Sequence, residues 1–397
     1  MPDIVICEPL RTPVGRFTGA LRDVPPETLA ATVIRALVDR TGIDPAAIDD
    51  VVLGQAGPNG EAPALGRIAA LDAGLGIAVP GYQVDRRCGS GLQAVLAAAG
   101  QIASGGADIV VAGGAESMSR TEFYDRRLRW EEDSPADPVD RLARARVTAG
   151  GRLHPVPGGM VETSENLRAE YAIPRAAQDD LAFASHGKAV AAQRAGRFAD
   201  EIVPVPTDSG TVDTDEHPRP NVDRAKLATL TALRSAVDPD STVTAGNASG
   251  QNDGAAAAIV ASAEAARAHG LTPMARLVSW SVTGVAPERM GIGPVPATAA
   301  ALSRAGIGLA DLDVIELNEA FAAQVLAVLA EWGLSPEDPR LNPNGSGISL
   351  GHPVGATGAR ILATGLHELR RREGRYLLET MCIGGGQGIA AVFERVS

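Results

Sequence analysis

Residues 41–55, TGIDPAAIDDVVLGQ, and residues 305–319, AGIGLADLDVIELNE, repeat one pattern at an offset of 264 positions. Each is a Gly-containing helix end, an acidic turn and a β-rich run. Carried along the chain, the same offset pairs Cys88 with His352, so RCGSGLQA aligns with GHPVGATG, small residue on small residue, each leading into an Ala-rich segment. Further on, DIVVAGGAES (108–117) resembles RYLLETMCIGGGQG (375–388) once a few residues are inserted. A duplication constrains the fold more than any single motif, because each copy must be a supersecondary unit that buries its apolar face against the other. Both copies alternate apolar β runs with helical segments. Ile109–Ala112 and Leu377–Thr380 are the near-continuous apolar stretches of central strands. The chain is thus expected to be a duplicated α/β unit, with its middle inserted into the first copy.

That middle differs in composition. Residues 120–152 hold eight Arg and seven acidic residues, and SENLRAEYAIPRAAQDDLAFASHGKAVAAQRAGRF (164–198) predicts two amphipathic helices split by Pro174. A surface loop domain is expected here, with the first copy resuming near VTAGNASGQNDGAAAAIVAS (243–262).

Composition narrows the function. A net charge of −12 disfavours nucleic acid and anionic membranes as partners. No segment has the long uncharged apolar run of a membrane span, and the opening MPDIVIC lacks the pattern of a signal peptide, so a cytoplasmic location is expected. Cys7, Cys88 and Cys382 make neither a disulfide framework nor a zinc site, and no metal is expected. With Lys188 and Lys226 the only lysines, Schiff-base chemistry is disfavoured, and the chain has no phosphate-binding loop of the G-x-x-x-x-G-K-[ST] type.

Cys88 is read two ways. It is a small core residue, or it is a thiolate at a helix start, facing free N–H groups and the positive end of the helix dipole, which would lower its pKa. The same N–H groups would hold a developing oxyanion. The duplication favours the second reading, because it brings His352 to the matching helix start and so forms a Cys–His pair. His154, His186, His217, His269 and His367 have no comparable context and are read as surface or structural. Cys382 opens CIGGGQG after an apolar strand. It is either a strand-end residue before a glycine turn or a second sulfur acting as a base. The run lacks the G-x-G-x-x-G spacing of a dinucleotide site. Asn318 in ELNEAFAAQ caps a helix or orients a water or carbonyl oxygen.

Together, CGSG at Cys88, NEAFA (318–322), GHPVGATG (351–358) and CIGGGQG (382–388) resemble the thiolase family in order and spacing. RTPVGRFTGAL (11–21), GGAESMS (113–119) and TVTAGNASGQNDGAA (242–256) extend the resemblance over the chain. It implies a duplicated, five-layered α/β/α/β/α fold with two mixed sheets. Residues 1–119 and 246–270 would form one half, 120–245 a loop domain that holds coenzyme A, and 271–397 the other half. It also implies reversible ping-pong acyl transfer between coenzyme A thioesters, as in fatty-acid metabolism and β-oxidation. No prosthetic group is implied, and the protein would be a homodimer or homotetramer.

Carried over by residue, Cys88 resembles the nucleophile that becomes acylated, His352 its activator, and Cys382 the acid/base at the acetyl α-carbon. Asn318 resembles the holder of an oxyanion-hole water, and Gly384 a second oxyanion hole with the Cys88 backbone. Ser249 matches the pantetheine contact, Arg219 and Thr229 the nucleotide end, and Met160 and Met290 the acyl pocket. Carbon–carbon bond formation agrees with this set: the enolate needs oxyanion donors while a base removes a weakly acidic proton, and the acylated cysteine makes attack effectively intramolecular.

Asp85 departs from the family's usual Asn. Arg86 and Arg87 would lower the Cys88 pKa or pair with Asp85 or a partner subunit, and pairing is the preferred reading. VPGG before Met160 replaces the His-Met pair of the short-chain biosynthetic type, which leaves room for longer 3-ketoacyl substrates. The alternatives are a decarboxylating, ketosynthase-like condensing enzyme and a catalytically inactive lipid-carrier homologue. The first is disfavoured by Asn318 and Cys382, the second by the presence of all four candidate catalytic side chains.

Overall fold

The computed structural model describes residues 3–131 and 135–396. Residues 1, 2, 132–134 and 397 of the expected pieces lie outside this description. The strands that form the scaffold are β1 (Ile4–Arg11), β2 (Asp50–Gly54), β3 (Gly81–Val84), β4 (Ile109–Ser117), β5 (Asn252–Ser262), β6 (Pro273–Gly284), β7 (Val314–Leu317), β8 (Tyr376–Ile383) and β9 (Gln387–Arg395). The helices that matter here are α1 (Pro26–Thr41), α2 (Leu65–Asp72), α3 (Ser90–Ala103), α4 (Arg141–Thr148), α5 (Gly159–Glu170), α6 (Arg175–Arg194), α7 (Pro294–Ala305), α8 (Ala322–Trp332) and α9 (Thr357–Arg371).

The duplication is visible in the ladders. In the first half the order is β3-β2-β4-β5-β1, and in the second β7-β8-β9-β6. The first half pairs β1 with β5 and β5 with β4 antiparallel, then β4 with β2 and β2 with β3 parallel. In the second half β6 pairs with β9 and β9 with β8 antiparallel, and β8 with β7 parallel. The counterpart of β3 has shrunk to one parallel bridge, Ile315 to Leu341.

One feature differs from two separate sheets. The edge strands β1 and β6 pair antiparallel over Val5–Cys7, so hydrogen bonding runs through ten strands, the short strand Gly15–Arg16 included. The contact shifts register where Cys7 meets Pro273, whose nitrogen has no hydrogen to donate.

Layering follows from which faces are apolar. Along β8, Leu377, Met381 and Ile383 face one way and Leu378 the other, the two-residue period of a strand buried on both sides. Helices α1 and α2 cover the outer face of the first half, and α7 and α8 that of the second. Helices α3 and α9 lie between the halves and share one core with both. The outer helices carry ordinary boundary signals, such as Pro at the first position of α1 and left-handed Gly42 at its end.

The middle pair packs more tightly than side chains allow. A Cβ at Gly91 would lie 2.7 Å from the Ala359 nitrogen and 3.1 Å from the Gly355 oxygen, and one at Gly358 would fall on the Leu92 nitrogen. Glycine here permits backbone-to-backbone contact between two helix starts.

The chain leaves the first half after Ser117 and re-enters it at Asn252. Between them, α5 and α6 are separated at Pro174, which caps α6. Arg11, wholly buried on β1, fastens this excursion to the scaffold by ion pairs to Glu201 (2.6 Å) and Asp215 (2.7 Å).

A buried charge cluster faces α9. Glu316 and Glu379 are direct neighbours in the parallel ladder, and their carboxylate oxygens have no hydrogen-bond partner among the described residues. Burial pushes Glu316 up to about 8, against the pull of Arg360, and pushes Glu379 well above the usual carboxylate range.

Two expectations follow. Gly358→Ala destabilises the fold by about 3 kcal/mol through overpacking, read as a shift in the denaturant midpoint. Gly100→Ala on α3, where a Cβ meets nothing within 4 Å, does not. The raised carboxyls bind protons in the folded chain that the unfolded chain releases above about pH 4.5, so stability falls as pH rises from there towards about 8. Glu379→Gln therefore shows a smaller loss of melting temperature between about pH 6 and 9 than the parent chain, and an unchanged pH slope would contradict this.

Candidate active site

Cys88 sits in a single helical turn, Arg87–Gly89, that feeds α3. The turn is held from both ends. Asp85 Oδ1 accepts the Arg87 N–H at 2.8 Å, while the Ser90 hydroxyl accepts the Arg86 N–H at 2.8 Å and donates to the Arg87 carbonyl at 2.7 Å. Arg87 takes a left-handed φ of 48°, a strained conformation for a side chain of its size. The turn carries Cys88 into the wall of a cavity of about 510 Å³.

His352 lies in the wall of the same cavity, at the turn that precedes α9. Its backbone N–H donates to Asn252 Oδ1 at 2.8 Å. Its Nδ1 lies 2.6 Å from the Thr357 hydroxyl, which gives its one proton to the Pro353 carbonyl at 2.9 Å. Nδ1 is therefore the donor and Nε2 carries the free lone pair. Burial first, then the positive charges of Arg360 and Arg146, push His352 down to about 3 and keep it neutral.

The expected lowering of the Cys88 pKa is not what the geometry produces. Burial pushes the thiol up. The N–H groups of Gly384 and of Cys88 itself, and the charge of Arg87, oppose that shift without reversing it. Met160, Met290 and Phe321, drawn from distant parts of the chain, give the cavity its apolar wall. Arg87 pairs with Asp85 at 3.7 Å, as preferred. Arg86 instead donates to Gln93 (2.7 Å) and Gln387 (3.0 Å).

Gly384 lines the cavity in the turn between β8 and β9, whose next two glycines have φ of 96° and 80°. Cys382 is fully buried just behind the wall, packed with Met290, Ala320 and Phe321. Burial and then the neighbouring Cys88 drive its pKa far up. Asn318 is also buried outside the wall, and neither amide atom has a partner among the described residues. A buried unpaired amide is a place for a water or a carbonyl oxygen.

Ser249, Arg219, Met160 and Met290 all line the cavity. Thr229 does not. It is exposed, and its hydroxyl is turned back to the Lys226 carbonyl at 2.8 Å. His186, His217 and His367 are buried and do not line the cavity; His186 Nδ1 accepts the Arg219 N–H at 3.3 Å, His217 meets the Asn252 amide and His367 the Pro9 carbonyl.

Sequence reasoning passed over Glu116, which lies in GGAESMS. Its carboxylate lines the cavity and accepts N–H groups from Ala56, Gly57 and Gly355 at 2.9–3.1 Å, and burial pushes it up to about 7. It also passed over Arg141 and Arg146 of α4, which enter the wall from the charge-mixed stretch read as surface.

Comparison with known proteins decides the family. Residues 4–264 match the thiolase N-terminal domain and residues 271–395 the thiolase C-terminal domain. The chain belongs to the thiolase family. It is 48% identical to the beta-ketothiolase BktB of Cupriavidus necator, over 99% of both chains. It is 45% identical to the beta-ketoadipyl-CoA thiolase of Pseudomonas putida, over the full length of both. Among solved structures, the acetyl-CoA acetyltransferase of Bacillus anthracis superposes with a TM-score of 0.93 at 41% identity, covering 100% of this chain and 99% of that one.

This thiolase is an acyltransferase, and its substrates are coenzyme A thioesters. Iodoacetamide is expected to modify Cys88 ahead of the buried Cys7 and Cys382, as read by peptide mass spectrometry. The midpoint of its pH–rate curve should lie above about pH 8.5, the midpoint of a free thiol. Modification led by Cys382 would contradict the geometry.

Proposed function

We propose that acyl transfer in this thiolase proceeds through an acyl-Cys88 thioester, in thiolysis of 3-ketoacyl-CoA or condensation of two acyl-CoA molecules. The observation that carries this reading is the shared cavity of Cys88, neutral His352 and the Gly384 N–H. His352 Nε2 takes the Cys88 proton as the sulfur attacks the thioester carbonyl. Because the thiol is pushed up and the imidazole down, a standing thiolate–imidazolium pair is disfavoured, and proton transfer is coupled to attack. The N–H groups of Cys88 and Gly384 receive the tetrahedral oxyanion. Coenzyme A leaves with the proton held by His352, and the acyl group stays on sulfur.

In the condensation direction, Cys382 passes its thiol proton to His352 Nε2 as its sulfur removes the α-proton of a second acyl-CoA, and the enolate oxygen accepts from the Nε2–H so formed and from a water on Asn318. The unpaired Asn318 amide supports the water. The elevated Cys382 pKa makes its thiolate a strong base once formed. Attack of the enolate on the acyl-Cys88 carbonyl forms the carbon–carbon bond and breaks the Cys88 thioester, and the leaving Cys88 sulfur takes the proton back from His352 Nε2. Thiolysis runs the same steps backwards.

Residues 120–245 act in this reading as the coenzyme A-binding loop domain between the halves 1–119 with 246–270 and 271–397. Ser249 meets the pantetheine, and Arg219 the nucleotide end beyond it. The wall positions of both support this, whereas Thr229 is no longer part of the set. The reading carries a cytoplasmic homodimer or homotetramer with it. Ile77, Trp130 and Leu153, strongly exposed on one chain, are in keeping with covered surfaces. Among the described residues no helix is long and apolar enough to cross a membrane.

Half-reactions test the roles. Cys88→Ala abolishes both acylation by labelled acetyl-CoA and overall thiolysis. Cys382→Ser lowers condensation and α-proton exchange by about 10²–10⁴ while leaving Cys88 acylation largely intact. Equal loss of both half-reactions would assign Cys382 a structural place instead.

A further inference from the structure

Among the described residues, Glu116 is the one carboxylate in the cavity wall, and its seat there is built from both halves. It stands near the end of β4, with its two oxygens held by three backbone N–H groups. Oε2 accepts Ala56 and Gly355, each at 2.9 Å, and Oε1 accepts Gly57 at 3.1 Å. Ala56 and Gly57 belong to the loop after β2, and Gly355 to the turn before α9. A Cβ at Gly57 would lie 3.1 Å from Oε1 and one at Gly355 2.8 Å from Oε2, so both segments use glycine where the carboxylate sits.

Each segment carries the tie on to a reacting side chain. The Ala56 carbonyl accepts Arg87 Nη1 at 3.2 Å, and Arg87 opens the turn that holds Cys88. Gly355 lies in a turn closed by the Ala356 N–H on the Pro353 carbonyl at 2.9 Å. The same carbonyl takes the Thr357 hydroxyl that orients His352. No cation pairs with Glu116 among the described residues: Arg87 is turned to Asp85, Arg141 to Glu122 and Arg146 to the Gln251 amide. On neighbouring β5, Asp253 is bound by Ser117 and Ser119. Three fixed N–H groups suit an ionised carboxylate. A proton on either oxygen weakens that oxygen as an acceptor and sets an O–H among donors.

We infer that Glu116 is a positioning residue for acyl transfer: as a carboxylate it clamps the Cys88 turn and the His352 turn in one geometry, and once protonated it lets them part. This rests on the acyl-Cys88 reading and adds a residue that acts through the two turns rather than on the reacting atoms. Burial, with the charge of Asp85 adding to it, pushes Glu116 up to about 7 against the pull of the three N–H groups. The clamp is therefore closed above about pH 7 and opens as pH falls through that value. Neither reacting group titrates there, since His352 is pushed down to about 3 and the Cys88 thiol lies above its ordinary range.

The test follows single-turnover acylation of the full-length enzyme by labelled acetyl-CoA between about pH 5.5 and about pH 9, a half-reaction free of the coenzyme A thiol's own titration. The parent rate is expected to be level above about pH 7.5 and to fall by about tenfold per pH unit well below about pH 7. Glu116→Gln loses this acid limb, because an amide does not titrate. At about pH 8 it acylates about 10–10²-fold more slowly than the parent, because its NH2 meets an N–H where an oxygen stood. Glu116→Asp, a carboxylate one methylene too short to reach both segments, is also slowed at about pH 8 but keeps an acid limb. A parent with no limb near pH 7, a Glu116→Gln variant that keeps the limb, or one that matches the parent rate at about pH 8 overturns the inference. The parent profile needs no variant and decides even where Glu116→Gln does not fold. Label carried by a residue other than Cys88 would instead count against the acyl-Cys88 reading itself.

Discussion

A side chain at Gly91 or Gly358 would collide with the backbone of the helix start facing it. That contact, repeated on both sides of the middle layer, sets how close α3 and α9 come. Because Cys88 and His352 ride on the turns that open these helices, it also sets how the sulfur and the imidazole meet. Neighbouring glycines extend the constraint outward. A Cβ at Gly54 would lie 2.5 Å from the Ser90 carbonyl carbon, one at Gly114 would press on the Gly355 oxygen, and one at Gly355 would lie 2.8 Å from the Glu116 carboxylate. Glu116, held by three N–H groups, then ties the loop after β2 to the loop before α9. The cavity is thus positioned by backbone contacts that tolerate little movement, the rigidity that oriented catalysis requires.

Desolvation is the second organising effect, and it acts on every ionisable group at the centre. The thiols of Cys88 and Cys382 are pushed up and the imidazole of His352 down, so the resting site is close to uncharged at its heart. In such surroundings hydrogen bonds to a developing oxyanion gain strength that they would not have in water. The cations of the cavity, Arg87, Arg141, Arg146 and Arg219, stand around this centre in its wall.

Much of this architecture was legible in the chain. The offset of 264 paired Cys88 with His352, and their turns do meet at one cavity. The apolar runs became central strands, and Pro174 divided two helices. What was not legible depends on parts that only folding brings together. The direction of the Cys88 shift comes from burial, at a cavity whose apolar wall draws Met160, Met290 and Phe321 from parts of the chain no local window contains. The arginines of α4 looked like a solvated mixed-charge surface, because nothing nearby in sequence shows that α4 folds over the glycine turn. The junction of β1 with β6 depends on two edges meeting, and the strand pattern reads the same with or without it. Glu316 and Glu379 occupy inward positions of strands otherwise apolar on that face, a break in the two-residue pattern that marks a buried cluster without revealing its state.

Strand β5 lies between β1 and β4, yet it follows them in the chain only after the long excursion that leaves at Ser117. The first half therefore cannot close while its N-terminal portion alone has left the ribosome. Until Ser262 emerges, β1 and β4 lack the neighbour that separates them, and their apolar edges stay open to wrong partners. The second half, continuous from Pro273 to Arg395, has no such delay. The first half thus becomes able to close only at the end of its own synthesis, and the nascent chain's open edges are concentrated in its first two-thirds.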